Sequence, residues 1–294
     1  ILMLGGLILT VLTGFPLAMP IGTIAIAVGL LAFGTPVFDQ VYQQIFAILH
    51  NYVLLALPLF VFMGVVLEYS LIADKMYDSL FLLFSGFRGG LAIITIILGT
   101  ILAACVGVIT ASVTMLTTVA LPAMDKRGYD RSLASGVICA GGSLGILIPP
   151  SVMLVIYGPM ARVSVGKLFF GAMGPGILLA VLYITYVTIR CYMNPKLAPT
   201  VPPKERAVPL SQKLKLVSVS LLPPAFIILS VLGVIYMGIA PPTEAAAIGS
   251  FAALILTVAY RRLTWSTLIK ILRRSLNISS VVMFIGAASV AFTG

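Results

Sequence analysis

The run Gly141-Gly142-Ser143-Leu144-Gly145-Ile146-Leu147-Ile148-Pro149-Pro150-Ser151 holds the residue types in this chain most able to do chemistry. Glycines unwind a helix, and paired prolines remove two amide donors before restarting one. The run lies in the middle of a long apolar segment, so an unwound stretch would offer backbone carbonyls together with the Ser143 and Ser151 hydroxyls. Non-helical backbone is tolerated at membrane depth only where it lines a cavity or is buried in protein. Neutral, hard oxygens suit a weakly held, desolvated Na⁺, whereas carboxylate-rich cages suit divalent metals. A structural reading competes: a kink for helix packing, with small residues at a close contact.

A second constellation lies upstream. Arg88-Gly89-Gly90 and Lys126-Arg127-Gly128 are both basic, and the apolar residues between them, Leu91 to Met124, are too few for two comfortable membrane crossings. A re-entrant hairpin over 88–131 fits better, with its tip near Gly107, Thr110, Ala111, Ser112 and Thr114, where small and hydroxyl residues let the chain turn. Other polar residues read as structural. His50 beside Asn51 is interfacial, Asp130 and Glu244 open helices, and Cys105, Cys139 and Cys191 share no metal-ligand spacing and serve as small apolar residues. There is one His in the chain, no His-Glu-x-x-His and no paired intramembrane aspartates, so no enzyme is expected. The scarcity of intramembrane charge argues against a proton relay.

The elements that must position these residues follow from composition. The chain has 294 residues, 61% hydrophobic and 9% charged, with a mean hydropathy of +1.18. Too little polar surface is present to cover a water-soluble globule. The apolar residues form blocks of roughly 17 to 25, the length that crosses ~30 Å of hydrocarbon as helix. The expected fold class is therefore an all-α polytopic membrane protein. The net charge of +10 is concentrated at Lys126, Arg127 and Arg131, between Arg190 and Lys215, and between Arg261 and Arg274. These clusters flank apolar spans and mark cytoplasmic loops by the positive-inside bias, so no nucleic acid is implied. Five prolines between Asn194 and Lys215 make 190–215 an extended cytoplasmic linker.

The order turn, apolar helix, amphipathic segment, apolar helix occurs from Pro16 to Gly64 and again from Pro242 to Gly294. The first amphipathic segment (34–50) holds Asp39 and no Lys or Arg, whereas the second (261–277) is basic, with Trp265, Leu268, Leu272 and Leu276 on its apolar side and a separate apolar helix expected from 278. Opposite placement across the bilayer makes the repeats inverted, the architecture of secondary transporters. The first repeat then covers 1–189, as scaffold helices (1–87), hairpin (88–131), broken helix (132–160) and helix (168–189), and 216–294 begins the second. The chain starts at Ile1 and stops inside an apolar run. By the length of the first repeat, the second is incomplete and something on the order of 120 further residues is expected beyond Gly294.

The stretches NYVLLALPLFVFMG (51–64), LPAMDKRGYDRSLASGVICAGGSLGILIPPS (121–151) and PPTEAAAIG (241–249) resemble the large membrane subunit (M, DctM-type) of tripartite ATP-independent periplasmic (TRAP) transporters, and look most like the branch for mannitol and chloroaromatic or other organic acids. The resemblance covers the whole chain in order. It implies an elevator-type secondary transporter of the bacterial inner membrane in which Na⁺ drives uptake of a carboxylate substrate. A periplasmic binding protein would deliver that substrate, and a small four-helix membrane subunit would complete the complex. Family members hold Na⁺ between hairpin tips and facing unwound helices. Carried onto this chain, that implies a site from Thr110, Ser112, Thr114, Gly141, Gly142, Ser143, Pro149, Pro150 and Ser151, with Ser112, Gly142 and Ser143 as candidate Na⁺ ligands. The tip here reads Thr110-Ala111-Ser112-Val113-Thr114, where the family has a Gly-Ser-Ser run. A single-component anion/Na⁺ symporter of related architecture is the alternative.

Overall fold

The computed structural model describes residues 2–70, 72–84, 86–199 and 209–293. Among them are thirteen α-helices, two short 3₁₀ turns and no strand. The chain opens with α1 (Leu2–Val11), α2 (Ala18–Phe33) and α3 (Val37–Leu49). The Asn51 side chain accepts from the Val53 amide at 3.0 Å and starts a 3₁₀ turn that leads into α4 (Ala56–Tyr69). Then come α5 (Ile72–Phe84), α6 (Gly90–Val106) and α7 (Ile109–Asp125). The helix α8 (Arg131–Ser143) gives way to a 3₁₀ turn over Leu144–Ile146, and α9 (Val152–Ala161) follows the non-helical residues 147–151. The chain continues with α10 (Val165–Met193), α11 (Leu210–Tyr236), α12 (Pro242–Ala259) and α13 (Trp265–Thr293).

Among the described residues, five segments are long and apolar enough to cross a membrane: Tyr52–Tyr69, Val165–Met193, Ser211–Tyr236, Pro242–Ala259 and Trp265–Thr293. Their large side chains face outward in numbers no water-soluble surface carries, among them Phe170, Leu178, Leu222, Leu229, Phe251 and Phe284. The chain is a multi-pass membrane protein. By contrast α6 is buried along most of its length and forms the centre of the molecule. At 17 residues each, α6 and α7 are about 25 Å long, short of the ~30 Å hydrocarbon core.

Two groups of helices stand out in the packing, joined where α6 also packs on α4, α5 and α10. In one, α6, α7, α8 and the Leu144–Ile146 turn pack on each other. In the other, α2 packs on α13 and α4 packs on both α12 and α13. The first helix of each repeated stretch, Pro16 to Gly64 and Pro242 to Gly294, therefore lies against the last helix of the other. The α4–α12 contact is fixed by the Ser250 hydroxyl, which donates to the Leu59 carbonyl at 2.8 Å. At the far end of α4 an Arg274–Glu68 ion pair of 3.0 Å ties it to α13.

Two regions differ from the sequence reading. The amphipathic segment 261–277 and the apolar helix from 278 are one continuous helix, α13, because no glycine or proline lies between Trp265 and Met283 to interrupt it. The 190–215 linker is helical at both ends, since α10 runs to Met193 and α11 begins at Leu210. Its start is also docked: the Asp130 amide donates to the Leu197 carbonyl at 3.0 Å, and Ala198 is buried. The linker residues 200–208 lie outside the described residues.

Candidate functional site

The tip of the α6–α7 pair is two residues, Gly107 and Val108. Gly107 has φ +64, the left-handed region that ends α6 without the cost a side chain would add. Its carbonyl accepts from the Val152 amide, at the start of α9, at 3.2 Å. A Cβ at Gly107 would fall 2.7 Å from the Pro150 carbonyl oxygen and 3.2 Å from the Val152 nitrogen. The hairpin tip thus rests backbone to backbone on the break in the α8–α9 segment, and Pro149, Pro150 and Ser151 are all buried there. The Pro149–Pro150 peptide is cis. At the opposite end of the hairpin the Tyr129 hydroxyl accepts from the Leu91 amide at 3.3 Å. Burial pushes that hydroxyl up to about 12, so it stays protonated at physiological pH.

The glycines ahead of the break do something other than unwind the helix. Gly141 and Gly142 are inside α8, which remains α-helical to Ser143. A Cβ at Gly99 of α6 would lie 2.7 Å from Gly141 Cα, and one at Gly142 would meet the Val113 side chain and stand 3.1 Å from the Val113 nitrogen. These glycines let α8 pack directly on α6 and α7, and the helix opens only at 147–151, where the prolines stand. The packing reading set out above applies to the glycines, the unwinding reading to the prolines.

The hydroxyls sort into three kinds. Ser112 and Ser151 are fully buried, and the Oγ of each has no hydrogen-bond partner. Ser112 Oγ lies over the 3₁₀ turn, 3.5 Å from where a Cβ on Gly145 would be. Ser151 is the residue before α9, in extended backbone, with its side chain making no cap. Ser143 Oγ donates to the Ala140 carbonyl at 2.8 Å, and the Gly142 carbonyl accepts from the Leu144 amide. Thr110 and Thr114 are exposed on α7, where the Thr114 hydroxyl donates to the Thr110 carbonyl at 2.7 Å. Burying a hydroxyl without a partner costs about 1–3 kcal/mol, and two such groups stand close to the hairpin tip and the helix break.

Beside the junction is a cavity of about 450 Å³, lined by Gly107, Val108, Ile109 and Thr110 of the tip, Ile146, Val152 and Met153 of the α8–α9 segment, and Asn277, Ile278, Val281 and Val282 of α13. The starts of α7 and α9 both border it. The first amides of a helix lack intrahelical partners, and the helix dipole adds positive character there. Asn277 was not marked by the sequence reading, where it sat unremarked at the seam between the amphipathic and apolar parts of α13.

Residues 4–294 match the family model described as "Tripartite ATP-independent periplasmic transporter, DctM component". Similar curated proteins include the C4-dicarboxylate TRAP transporter large permease protein DctM of Vibrio cholerae, 35% identical over 81% of this chain and 51% of that protein. The protein of the same name from Pseudomonas aeruginosa is 31% identical over 90% of this chain and 61% of its own length. The ectoine TRAP transporter large permease protein TeaC of Halomonas elongata is 29% identical over 99% and 67%. The chain spans about half to two thirds of the length of these relatives.

Proposed function

Because the chain belongs to the DctM family of tripartite ATP-independent periplasmic transporters, we propose that it is part of the large permease of a Na⁺-coupled secondary transporter that imports an organic anion across the bacterial inner membrane. A periplasmic binding protein hands over the anion, and a small four-helix membrane subunit completes the complex. The observation that carries this reading is the junction of hairpin tip and helix break, with its two buried, unpartnered serine hydroxyls.

The residues there fit a coupling cation. Ser112 Oγ and Ser151 Oγ have lone pairs that no protein donor occupies, and the stretch 147–151 adds carbonyls outside any helix. Such a set is neutral and hard, suited to Na⁺. Bound there, Na⁺ would supply positive charge that helps retain the anionic substrate. Gly142 and Ser143 stay in the proposed set through the second lone pairs of their oxygens. Gly141, Pro149 and Pro150 shape the junction, Thr110 faces the cavity, and Thr114 lies one turn further along α7. The start of α7, and the α9 amides after Val152, whose own amide the Gly107 carbonyl takes, are donors for a carboxylate.

The packing supports an inverted-repeat, elevator-type scaffold. The pairings of α2 with α13 and α4 with α12 are those a two-fold relation between repeats produces. In this reading the hairpin and broken helix are the moving part, with α6 and α7 too short to span. The test is uptake of labelled organic acids into proteoliposomes holding the complete transporter, with its binding protein outside and an inward Na⁺ gradient. Uptake that collapses when K⁺ replaces Na⁺ is expected; absence of uptake, or indifference to Na⁺, overturns the reading.

A further inference from the structure

We infer that the segment 265–274 of α13, with Arg261 and Arg262 just before it, is a docking surface for anionic phospholipid headgroups; the inference stands apart from what the permease transports. α13 is 29 residues long, about 44 Å, against the ~30 Å of hydrocarbon. The stretch 275–293 carries no charged side chain and is by itself about 28 Å long, so it fills that thickness. All the charge on the helix, at Lys270, Arg273 and Arg274, lies in the excess at its start. Arg274 marks the boundary, because its partner Glu68, at 3.0 Å, is one residue from the end of the span Tyr52–Tyr69.

This end of α13 has three faces. Ile271, with Ser275 a turn further on, is buried against the rest of the molecule. Trp265, Ile269, Leu272 and Leu276 recur at the spacing of a single helix face and form a second stripe, which is exposed, Trp265 by 77% and Leu276 by 64%. Lys270 and Arg273 are exposed on the flank of that stripe, as Arg261 and Arg262 are in the turn before the helix. Among the described residues none of these four cations has a carboxylate partner, and no Asp or Glu occurs after Glu244. Water solvates the cations and leaves the stripe uncovered; hydrocarbon does the reverse. The headgroup layer serves both, because Trp and aliphatic side chains sink to the acyl boundary while Lys and Arg reach from their flank to phosphate. A zwitterionic headgroup brings a positive group of its own, whereas an anionic one brings net negative charge, and each basic residue adds to the attraction until salt screens it. By the positive-inside bias the leaflet concerned is the cytoplasmic one. A protein occupant would need an acidic and apolar face at the level where the bilayer surface already stands.

Trp265 stands in the stripe and reports on what covers it. The intact permease is reconstituted in phosphatidylcholine vesicles with rising fractions of brominated phosphatidylcholine or of brominated phosphatidylglycerol. Quenching of Trp265 emission, taken as the difference between the parent and Trp265→Phe, is measured against lipid fraction. At about 0.1 M salt, half-quenching is expected at a phosphatidylglycerol fraction about threefold below that of phosphatidylcholine. Lys270→Gln with Arg273→Gln should remove at least half of that preference, and Lys270→Arg with Arg273→Lys should keep it. Equal quenching by the two lipids overturns the inference, as does a preference that survives the loss of both charges. Quenching by neither overturns it as well, since a protein surface then covers the stripe. Both cations are exposed and the Arg274–Glu68 pair is left intact, so the variants should fold. If the doubly neutralised protein does not, raising the salt to about 1 M with the parent decides the same question: the preference should collapse while quenching itself persists. A preference unchanged at that salt overturns the inference.

Discussion

Two proline pairs in this chain have opposite fates. Pro149-Pro150 stands where α8 has ended and α9 has not begun, while Pro223-Pro224 sits inside α11, which runs unbroken from Leu210 to Tyr236. Proline removes a donor wherever it stands, so the difference must come from the surroundings. Ahead of the first pair, glycines pin α8 against α6 and α7, and the Gly107 carbonyl captures the Val152 amide. Pro223 and Pro224 are buried as well, but among the described residues no backbone hydrogen bond from another element reaches that part of α11. A break persists where another element takes up its backbone groups, and that element is the hairpin tip. Prolines in membrane helices are otherwise absorbed by neighbouring packing and local adjustment.

The comparison breaks most sharply at Gly107. Gly107→Ala adds a Cβ at a positive φ and drives it into the Pro150 carbonyl, so Na⁺-driven uptake should fall about 100-fold, the scale of a 1 Å misplacement at a site. Gly128→Ala is the control, because Gly128 also has φ +70 but nothing within 4 Å of a new Cβ. It should cost only about 1–2 kcal/mol of stability in a thermal melt, with uptake kept within a few-fold. Equal losses from both variants would mean that backbone conformation, not contact with the break, matters at Gly107.

A smaller effect is expected one step back, in the packing that leads to the break. Gly142→Ala collides with Val113 and should destabilise the purified protein by about 1–3 kcal/mol, the usual cost of overpacking. Adding Val113→Ala should recover most of that loss in the same melt. Failure of the second change to rescue the first would show that the Val113 backbone, not its side chain, sets the limit at Gly142. The smallest effect belongs to the other proline pair. Changing Pro223 or Pro224 to Ala restores a helix donor and should leave uptake within twofold, with a melt unchanged or raised. A large uptake defect there would erase the distinction between the pairs.

Some of this was legible in the residues and some was not. Block length and hydropathy are local properties, so the all-helical, multi-pass character could be read directly, and the helix expected over 243–259 is α12, Pro242–Ala259. The basic ends Arg88-Gly89-Gly90 and Lys126-Arg127-Gly128 likewise bracket α6 and α7. Partners on other helices could not be read. Gly141 and Gly142 look like helix breakers in isolation, and only Gly99 and Val113 across the interface make them packing residues. The continuity of α13 was missed because a change from amphipathic to apolar pattern looks like a boundary, although no residue there breaks a helix. Asn277 carried no signal beyond a lone amide in an apolar stretch; its place in the cavity depends on where α13 packs against α2 and α4. The hydroxyls at the tip and at the break stood out as a group, but which of them lack partners is a property of packing alone.

The central claim is that the junction of tip and break holds the coupling cation, and Ser112 and Ser143 separate it from its rivals. Ser112 Oγ is buried without a partner, whereas Ser143 Oγ is satisfied within its own helix. The most direct measurement is the Na⁺ dependence of uptake by the reconstituted transporter carrying Ser112→Ala or Ser143→Ala. Ser112→Ala should raise the half-saturating Na⁺ concentration about tenfold, the loss of one ligand worth about 1.4 kcal/mol, without lowering thermal stability. Ser143→Ala should shift it less than threefold. An unchanged Na⁺ dependence in Ser112→Ala would contradict the account.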